Sequence, residues 1–395
     1  KVFARQGVEK DMKIANRGLK MQFSAFLFGG FAKNAYLCTL YLRLRATDDM
    51  NMKKILSLIV AGLALASCTM NNLGEATKTF SELSDDLYFA EIKGDDGFEG
   101  FLEQGGAISS EGVAKYLDGF LGRGPFGKTK VTISPVAGAC TAFQAKHPDG
   151  HYVTGRNFDW NRCQILILRD KPEGGYASIS TSNLDFLGFE TGFKPEGMKN
   201  QIRALAAVFV PQDGMNEKGL VVADLAAGDN ESTNQSTGKT DLTTSTAIRL
   251  LLNQASDVEE SLALLRQYDM HSDIDKAHHL FISDINGNSV VVEWQSNEML
   301  VKEVDALTNH YMCGRSEGHG DDSHLHSHQR LEKVLKALEA AGGVLNADQA
   351  RDLLKDAQES DTEWSIVYDQ TKAGVLSEKF YLRKNFNSGW TYTVK

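Results

Sequence analysis

The chain is poor in positive charge and in cysteine, and the first shortage excludes a class of partner. Lys and Arg number 42 against 52 Asp and Glu, which gives a net charge of −10 at pH 7 over 395 residues. Nucleic acid is excluded as the main partner, because a phosphate-binding surface needs clustered Lys and Arg. The sequence also has no internal repeat, no glycine-rich phosphate loop and no low-complexity linker. Its composition, 42% hydrophobic and 24% charged, is typical of a soluble globular protein with a sizeable core.

The chain has only five cysteines, and two of them, Cys38 and Cys68, lie in segments that we expect to be absent from the mature protein. The other three are Cys140, Cys163 and Cys313. An odd number does not fit a disulfide framework, so a free thiol needs another explanation.

Residues 52–68 read MKKILSLIVAGLALASC and predict a secretory signal peptide. The apolar run is too short for a comfortable membrane span, although a buried hydrophobic helix is the alternative. The final LASC resembles a bacterial lipobox, in which Cys68 would be lipidated and would become the new N-terminus. We therefore expect an exported protein, periplasmic or at the cell surface, with possible membrane attachment through Cys68. Residues 1–51 are then predicted to be a non-native upstream extension, with Met52 as the true start.

The rest of the chain divides by its apolar pattern. Residues 69–139 are predicted to form a polar tether and a helical pro-segment, since apolar residues in 77–123 recur every three or four positions. Beyond this segment, β-branched and aromatic runs predict strands, followed by helices and then strands again, which indicates stacked sheets and helices. Predicted strands include 205–211, 219–227, 279–285 and 289–295, and predicted hairpin turns are 147–151 and 286–288.

Cys140 follows four small residues, 136–139, which leave the preceding peptide bond open to attack. If the thiol attacked that carbonyl and the bond were cut, Cys140 would acquire a free α-amine. Such an amine has an ordinary pKa of about 7.7–8.0 and can accept the proton of its own thiol. One residue would then supply nucleophile and base, as in N-terminal nucleophile enzymes. The alternative is that Cys140 is a small buried hydrophobe on a strand.

Arg156 and Asp159 follow Cys140 after the predicted hairpin turn at 147–151. The returning strand would bring both residues alongside the cysteine. A guanidinium there would lower the pKa of the thiol, and a carboxylate would hold the new α-ammonium group. Solvated residues at ordinary strand ends are the alternative.

Four motifs, taken together, resemble a known family: CTAF with GRNFDW, then DGMNEKGLVVADL, LTNHYM and SHQRLEKVLKAL. The chain resembles the linear amide C–N hydrolases of the N-terminal nucleophile fold. These include choloylglycine hydrolases, penicillin V acylases and relatives of acyl-coenzyme A:6-aminopenicillanic acid acyltransferase. The resemblance implies an α+β catalytic domain over 140–395 with a four-layer αββα sandwich of antiparallel sheets. One departure is Ala226, where the bile-salt and penicillin branches carry a polar residue.

The resemblance also implies a role for each matched residue. Cys140 would be the nucleophile, with its freed α-amine as the base. Arg156 would orient and polarise the thiol, and Asp159 would hydrogen-bond the α-amine. Asn309 would donate to the oxyanion beside a backbone N–H near Leu225. Arg330 would complete the charge network.

The implied reaction is cleavage of linear amides through an S-acyl intermediate, with small N-acyl amides as substrates. Conjugated bile acids, penicillin V-like amides and N-acyl amino acids all fit, and no cofactor is expected. Transfer of the acyl group to another amine is the alternative outcome of the same intermediate. Phe186, Leu187 and Phe189 are candidates for an acyl pocket, with buried core as the alternative. The sequence does not indicate the oligomeric state.

Other features favour different functions. The segment 319–328 holds four histidines and two aspartates, which are zinc ligands, but its spacing favours a solvated loop tip, and no metal is predicted. A non-enzymatic lipoprotein that binds a metal or another ligand is therefore one alternative. A thiol protease with His310 as base is another. Asn216, in MNEKGL, is interpreted as a turn residue that tolerates a left-handed conformation.

Overall fold

The computed structural model describes residues 72–121, 140–189, 193–227, 232–273, 277–320, 326–371 and 376–394. The predicted upstream extension, signal peptide and lipobox lie outside these residues, as do residues 122–139 directly before Cys140. In the described part of the chain, no helix is long and apolar enough to cross a membrane.

Strands and helices alternate irregularly along the chain. The strands are β1 Ser81–Ser84, β2 Leu87–Lys93, β3 Cys140–Lys146, β4 Tyr152–Asp159, β5 Ile165–Lys171, β6 Ser178–Asn183, β7 Asp213–Asn216, β8 Val221–Ala226, β9 Thr240–Thr243, β10 Tyr268–His271, β11 His278–Ser283, β12 Ser289–Gln295, β13 Glu298–Glu303, β14 Ala306–Leu307, β15 Thr362–Gln370, β16 Ser377–Leu382 and β17 Gly389–Thr393. The α-helices are α1 Phe98–Glu103, α2 Ser110–Leu121, α3 Gly197–Leu205, α4 Thr244–Gln254, α5 Val258–Leu265, α6 Ser327–Ala340 and α7 Ala347–Asp356. Short 3-10 helices are Leu184–Leu187, Ala206–Phe209 and Gly314–Ser316.

Two large sheets stack face to face. One has nine strands in the order β1-β2-β5-β6-β7-β8-β11-β12-β13, and the other has six in the order β14-β3-β4-β15-β16-β17. Helix α4 packs on β7 and β8 of the larger sheet, while α6 and α7 pack on β3, β4, β14 and β15 of the smaller one. The layers therefore run helix, sheet, sheet, helix, which is the predicted four-layer αββα sandwich.

Three apolar clusters match these layers, because alternate residues of each strand face opposite sides. The central core between the sheets includes Cys140, Ala142, Phe158, Ile167, Val221, Ala223, Phe281, Trp364 and Ile366. The outer core of the nine-stranded sheet includes Leu166, Leu168, Val222, Leu280, Phe209, Ile248 and Leu251. The outer core of the six-stranded sheet includes Phe143, Val153, Val367, Val334, Leu338 and Leu354.

The prediction of a continuously helical 77–123 is wrong for its first part. This part forms β1 and β2, and β2 pairs in parallel with β5 over its whole length. Alternate residues of β2 face different clusters, with Leu87 in the central core and Ala90 and Ile92 in the outer core. The apolar spacing fits both a helix and a strand, and pairing with β5 decides between them. The second part is helical, as predicted, in α1 and α2.

Two smaller expectations also change. The sheets are not wholly antiparallel, because β2 pairs with β5 and β9 pairs with β10 in parallel. The predicted strand at 205–211 is the end of α3 followed by a 3-10 helix, since a short apolar run does not distinguish a buried strand from a buried helix. The hairpin turns at 147–151 and 286–288 are confirmed, because they join β3 to β4 and β11 to β12.

Candidate active site

Cys140 is the first residue of β3 and is 2% exposed, with its side chain in the central core. The β3–β4 register places it opposite Phe158, so the residues on either side of Phe158 lie near it, as the predicted hairpin requires. Burial raises the pKa of the Cys140 thiol to about 11, and the Arg156 guanidinium opposes this shift. The thiol therefore keeps its proton at neutral pH and needs a base before it can attack a carbonyl.

Arg156 lies on β4 and is fully buried. Its Nη1 donates to the carbonyl of Asn157, and its Nη2 donates to the carbonyl of Asp224 at 2.6 Å. Its Nε lies 3.5 Å from Oδ2 of Asp213, which is equally buried. The guanidinium is therefore fixed from three sides. It lowers the pKa of the Cys140 thiol, in the predicted direction, although burial has the larger effect.

Asp159 is the last residue of β4 and is also fully buried. Its Oδ1 accepts a hydrogen bond from the Thr362 hydroxyl of β15. Its Oδ2 has no hydrogen-bond partner among the described residues. Burial raises the pKa of Asp159 to about 7, against the opposing effect of the Arg330 charge. One carboxylate oxygen is thus available for a further donor in a site that excludes water.

Asn309 follows β14 and connects three parts of the site. Its Oδ1 accepts hydrogen bonds from the Cys140 backbone N–H at 2.7 Å and from Nη2 of Arg330 at 2.7 Å. Its Nδ2 donates to the carbonyl of Ala226 at 2.9 Å. At the position where the chain departs from the bile-salt and penicillin branches, a backbone carbonyl therefore contacts the site. The second Nδ2 proton of Asn309 is the group that the oxyanion role requires, and that role stays a prediction.

Arg330 lies in the first turn of α6, and its guanidinium reaches β3 from the helix layer. Nη1 donates to the carbonyl of Cys140 and to Oγ1 of Thr141, the latter at 2.7 Å. Nε lies 3.2 Å from Oε1 of Glu359, which balances the charge. The structure thus brings together all five side chains that were predicted to be catalytic: Cys140, Arg156, Asp159, Asn309 and Arg330.

The family model for linear amide C–N hydrolases, choloylglycine hydrolase family, matches residues 140–311. The match begins at Cys140 and ends just after Asn309, so it includes both ends of the bonded cluster. Over residues 140–311, the chain is therefore similar to that family. The protein is accordingly a hydrolase that acts on carbon–nitrogen bonds other than peptide bonds, in linear amides.

Two solved structures are among those to which the chain is similar. Penicillin V acylase from Agrobacterium tumefaciens is 16% identical, with a TM-score of 0.43 over 64% of this chain and 85% of that one. A variant of conjugated bile acid hydrolase from Clostridium perfringens is 17% identical, with a TM-score of 0.45 over 64% of this chain and 92% of that one. A comparison with curated protein sequences gives no match.

Asp213 is a residue of the candidate site that the sequence did not single out. It accepts hydrogen bonds from Nε1 of Trp364 at 3.0 Å and from the Tyr368 hydroxyl at 2.8 Å, and it pairs with Arg156. The signal was present, since Asp213 opens the motif DGMNEKGLVVADL. The motif alone does not indicate the partners of Asp213, because β7 and β15 lie on different sheets that face each other.

The three candidate pocket residues differ in their burial and in their distance from the site. Leu187 and Phe189 are fully buried in the outer core of the nine-stranded sheet, which favours the core alternative for both. Phe186 is half-buried, and its ring lies 5.6 Å from that of Trp160. Trp160 lies in turn 5.6 Å from Phe158, the residue opposite Cys140. Only Phe186 is connected to the site by a continuous series of aromatic contacts.

The contacts of the histidines do not favour the two alternatives, a thiol protease with His310 as base and a metal site in 319–328. His310 lies beside Asn309, but its Nδ1 faces the Ser327 hydroxyl at 2.8 Å and its ring packs on His328 at 3.8 Å. In the histidine-rich segment, residues 321–325 lie outside the described part of the chain. His326 lies 3.4 Å from Glu359. None of the described histidines of this segment belongs to the group whose side chains converge enough to bind a metal ion.

Asn216 has a structural role, as predicted, but the left-handed conformation expected for it is wrong. Its Nδ2 donates to the carbonyls of Leu252 and Ala255 at the end of α4, and its Oδ1 accepts from the Lys218 N–H. The left-handed conformation of this turn falls on Gly219, with φ +82°. Asn216 therefore anchors a turn to a helix.

Proposed function

We propose that the protein is a cysteine N-terminal nucleophile hydrolase that cleaves linear amides through an S-acyl intermediate on Cys140. The supporting observation is Oδ2 of Asp159, which has no hydrogen-bond partner among the described residues. A buried acceptor without a donor costs free energy, about 1–3 kcal/mol. An ammonium group formed at the nitrogen of Cys140, next to β4, would supply that donor.

The α-amine would come from self-cleavage before Cys140. The thiol attacks the carbonyl carbon of Ala139, and the peptide C–N bond breaks as the acyl group moves to sulfur. Water then cleaves the thioester, which leaves a carboxylate on Ala139, a free thiol and a free α-amine on Cys140. Asn309 accepts a hydrogen bond from the nitrogen that is released, and Arg330 donates to the carbonyl of the same residue.

Each turnover would use the same groups. The α-amine takes the thiol proton, and the thiolate attacks the amide carbonyl. When the tetrahedral intermediate collapses, the C–N bond breaks and the α-ammonium returns the proton to the departing amine. Water, deprotonated by the α-amine, then attacks the S-acyl carbon, and the acid leaves as the thiol is regenerated. Arg156 stabilises the thiolate, and Asn309 stabilises the oxyanion.

The proposed substrates are N-acyl amides, for example conjugated bile acids, penicillin V-like amides or N-acyl amino acids. The half-buried ring of Phe186 beside Trp160 supports an apolar or aromatic acyl group. We also propose that the protein is exported and attached to a membrane through lipid on Cys68, which rests on residues 52–68 alone.

Intact-mass analysis of the purified protein tests the mechanism directly. Wild type is expected to yield a fragment that begins at Cys140 and to hydrolyse at least one amide in a panel of N-acyl amides. Cys140→Ala should remain uncleaved at this position and inactive. Cys163→Ala is the matched control, because Cys163 is another buried cysteine of the central core and should leave both properties intact. An active wild type with Cys140 still bonded to Ala139 would disprove the proposal.

A further inference from the structure

We propose that the turn between β3 and β4 binds a divalent transition metal ion such as Zn²⁺. The ligands would be His147, Asp149 and His151. One ligating atom from each of the three side chains lies within 4.8 Å of the others. The sequence HPDGH was predicted as a hairpin turn only, and the amide hydrolase chemistry uses none of its residues.

The turn itself brings the two histidines together. The His147 N–H donates to the carbonyl of His151 at 2.7 Å, so the two residues face each other across the hairpin. Gly150 adopts φ +91°, a left-handed conformation that glycine reaches without strain, and this allows the chain to reverse within three residues. The imidazole rings consequently stack with their centroids 4.0 Å apart. Their proximity is fixed by the backbone.

His151 has the environment of a histidine that binds a metal. Its Nε2 lies 3.1 Å from Oδ1 of Asp369 on β15. Both atoms are buried, and neither has a hydrogen bond of good angle to another described group. Metal-binding histidines usually direct their second ring nitrogen to a carboxylate, which fixes the tautomer and orients the ring. Asp369 would hold the proton at Nε2 and leave the lone pair of Nδ1 for the ion.

His147 and Asp149 are the other two proposed ligands of the ion. The Asp149 N–H donates to Nδ1 of His147 at 3.2 Å, so that nitrogen is an acceptor, and an ion bound there would replace this long hydrogen bond. Oδ2 of Asp149 lies 3.4 Å from the same nitrogen. The Asp149 side chain is 79% exposed, so it can rotate toward an ion at little cost. The site is therefore open to solvent on one side.

The ligand types indicate the class of ion. Zn²⁺ binds imidazole nitrogen and carboxylate oxygen at about 2.0–2.2 Å, and three protein ligands leave its fourth position to water. Two imidazoles favour zinc, copper or nickel over calcium and magnesium, which prefer oxygen ligands. Strand β3, seven residues long, separates His147 from Cys140 by roughly 23 Å at about 3.3 Å per residue. The ion would fasten the hairpin to β15 through Asp369 and would take no part in amide cleavage.

Calorimetric titration of Zn²⁺ into the chelator-treated full-length protein tests this site. Wild type should bind one equivalent at the hairpin. His147→Ala with His151→Ala should weaken this binding more than about 10-fold, and Asp369→Asn should weaken it by about 10-fold or more, as loss of a carboxylate behind a ligand does. Amide hydrolysis should be unchanged in all of these variants, which also shows that they fold.

The matched control is the double variant His326→Ala with His328→Ala, which removes two histidines of the segment 319–328. It should bind Zn²⁺ at the hairpin as wild type does. If wild type takes up no Zn²⁺, or if the hairpin double variant binds it as tightly as wild type, the proposal is wrong. Loss of binding in the control variant alone would assign the ion to the segment 319–328. That result would also refute the proposed site at the hairpin.

Discussion

The buried arginines around Cys140 are each paired with a carboxylate of opposite charge. Arg156 pairs with Asp213, and Arg330 pairs with Glu359, so both guanidinium groups have a carboxylate partner. No described residue forms a comparable ion pair with Asp159, and burial raises the pKa of Asp159 to about 7. In the uncleaved protein, this carboxyl group is expected to hold a proton near neutral pH. After cleavage, the new ammonium group would allow it to ionise.

The raised pKa of Asp159 predicts a pH dependence of stability in uncleaved protein, for which Cys140→Ala is the background. Between the ordinary Asp value of 3.8 and about 7, the folded state holds a proton that the unfolded state has lost. The free energy of unfolding therefore falls as pH rises through this window, by up to about 1.4 kcal/mol per pH unit, and this contribution is constant above it.

The comparison variant carries Asp159→Asn in the same Cys140→Ala background. Urea unfolding at pH 4.5, 6 and 7.5 should show the asparagine variant gaining stability relative to its parent as pH rises. A difference between the two proteins that is the same at all three pH values would contradict the assigned pKa.

At the scale of elements, the segment 308–313 that carries Asn309 is held by two side chains of the nine-stranded sheet. His279 of β11 places Nε2 2.7 Å from the carbonyl of Thr308 and Nδ1 3.0 Å from Oε1 of Glu293. Glu293 of β12 accepts the N–H groups of Met312 and Cys313 at 2.7 and 3.0 Å. The position of Asn309, which lies between these contacts, therefore depends on the buried and hydrogen-bonded pair of His279 and Glu293, which does not touch Cys140.

Glu293→Gln should reduce kcat of the hydrolase by about 10–100-fold, because an amide NH₂ would face backbone N–H donors and shift the segment that positions Asn309. KM should change less, since Phe186, the ring proposed to bind the acyl group, lies elsewhere. Glu298→Gln, an exposed change on the neighbouring β13, is the control for steady-state kinetics. Equal kcat values in the two variants would exclude a positioning role for Glu293.

At the scale of the whole molecule, residues 72–121, which precede Cys140, belong to the folded domain. Strand β2 lies between β1 and β5 in the nine-stranded sheet, and α1 and α2 contribute Phe98, Phe101, Val113 and Leu117 to the outer core. A fragment with this much buried surface should not dissociate after cleavage. We therefore expect 72–121 to stay bound to the chain that begins at Cys140.

Ile92→Ala should lower the free energy of unfolding by about 2–5 kcal/mol, because Ile92 of β2 is fully buried in the outer core. Ile108→Ala is the control, since Ile108 is 62% exposed and should change stability by less than about 0.5 kcal/mol.

Processed wild type should elute as one particle in native gel filtration and separate into two chains in denaturant. Elution of the Cys140 fragment alone would show that the N-terminal part is released.

The sequence by itself determined the candidate nucleophile, the hairpin that returns Arg156 and Asp159 to it, and the stacking of sheets and helices. These features depend on local signals: a turn at 147–151, period-two runs around it, and motifs whose order along the chain is specific. It also indicated Asn309 and Arg330, but only through family resemblance, because nothing local relates residues about 170 and 190 positions away to Cys140.

Only the tertiary structure decided which strand partners the residues before Cys140 and what surrounds the thiol. Apolar spacing in 81–93 satisfies both helix and strand, and pairing with β5 selected the strand. Asp213 meets Arg156 only because two sheets pack face to face, and His151 meets Asp369 only because β15 lies beside β4. Desolvation and ion pairing depend on such long-range contacts, and the order of residues along a chain does not specify them.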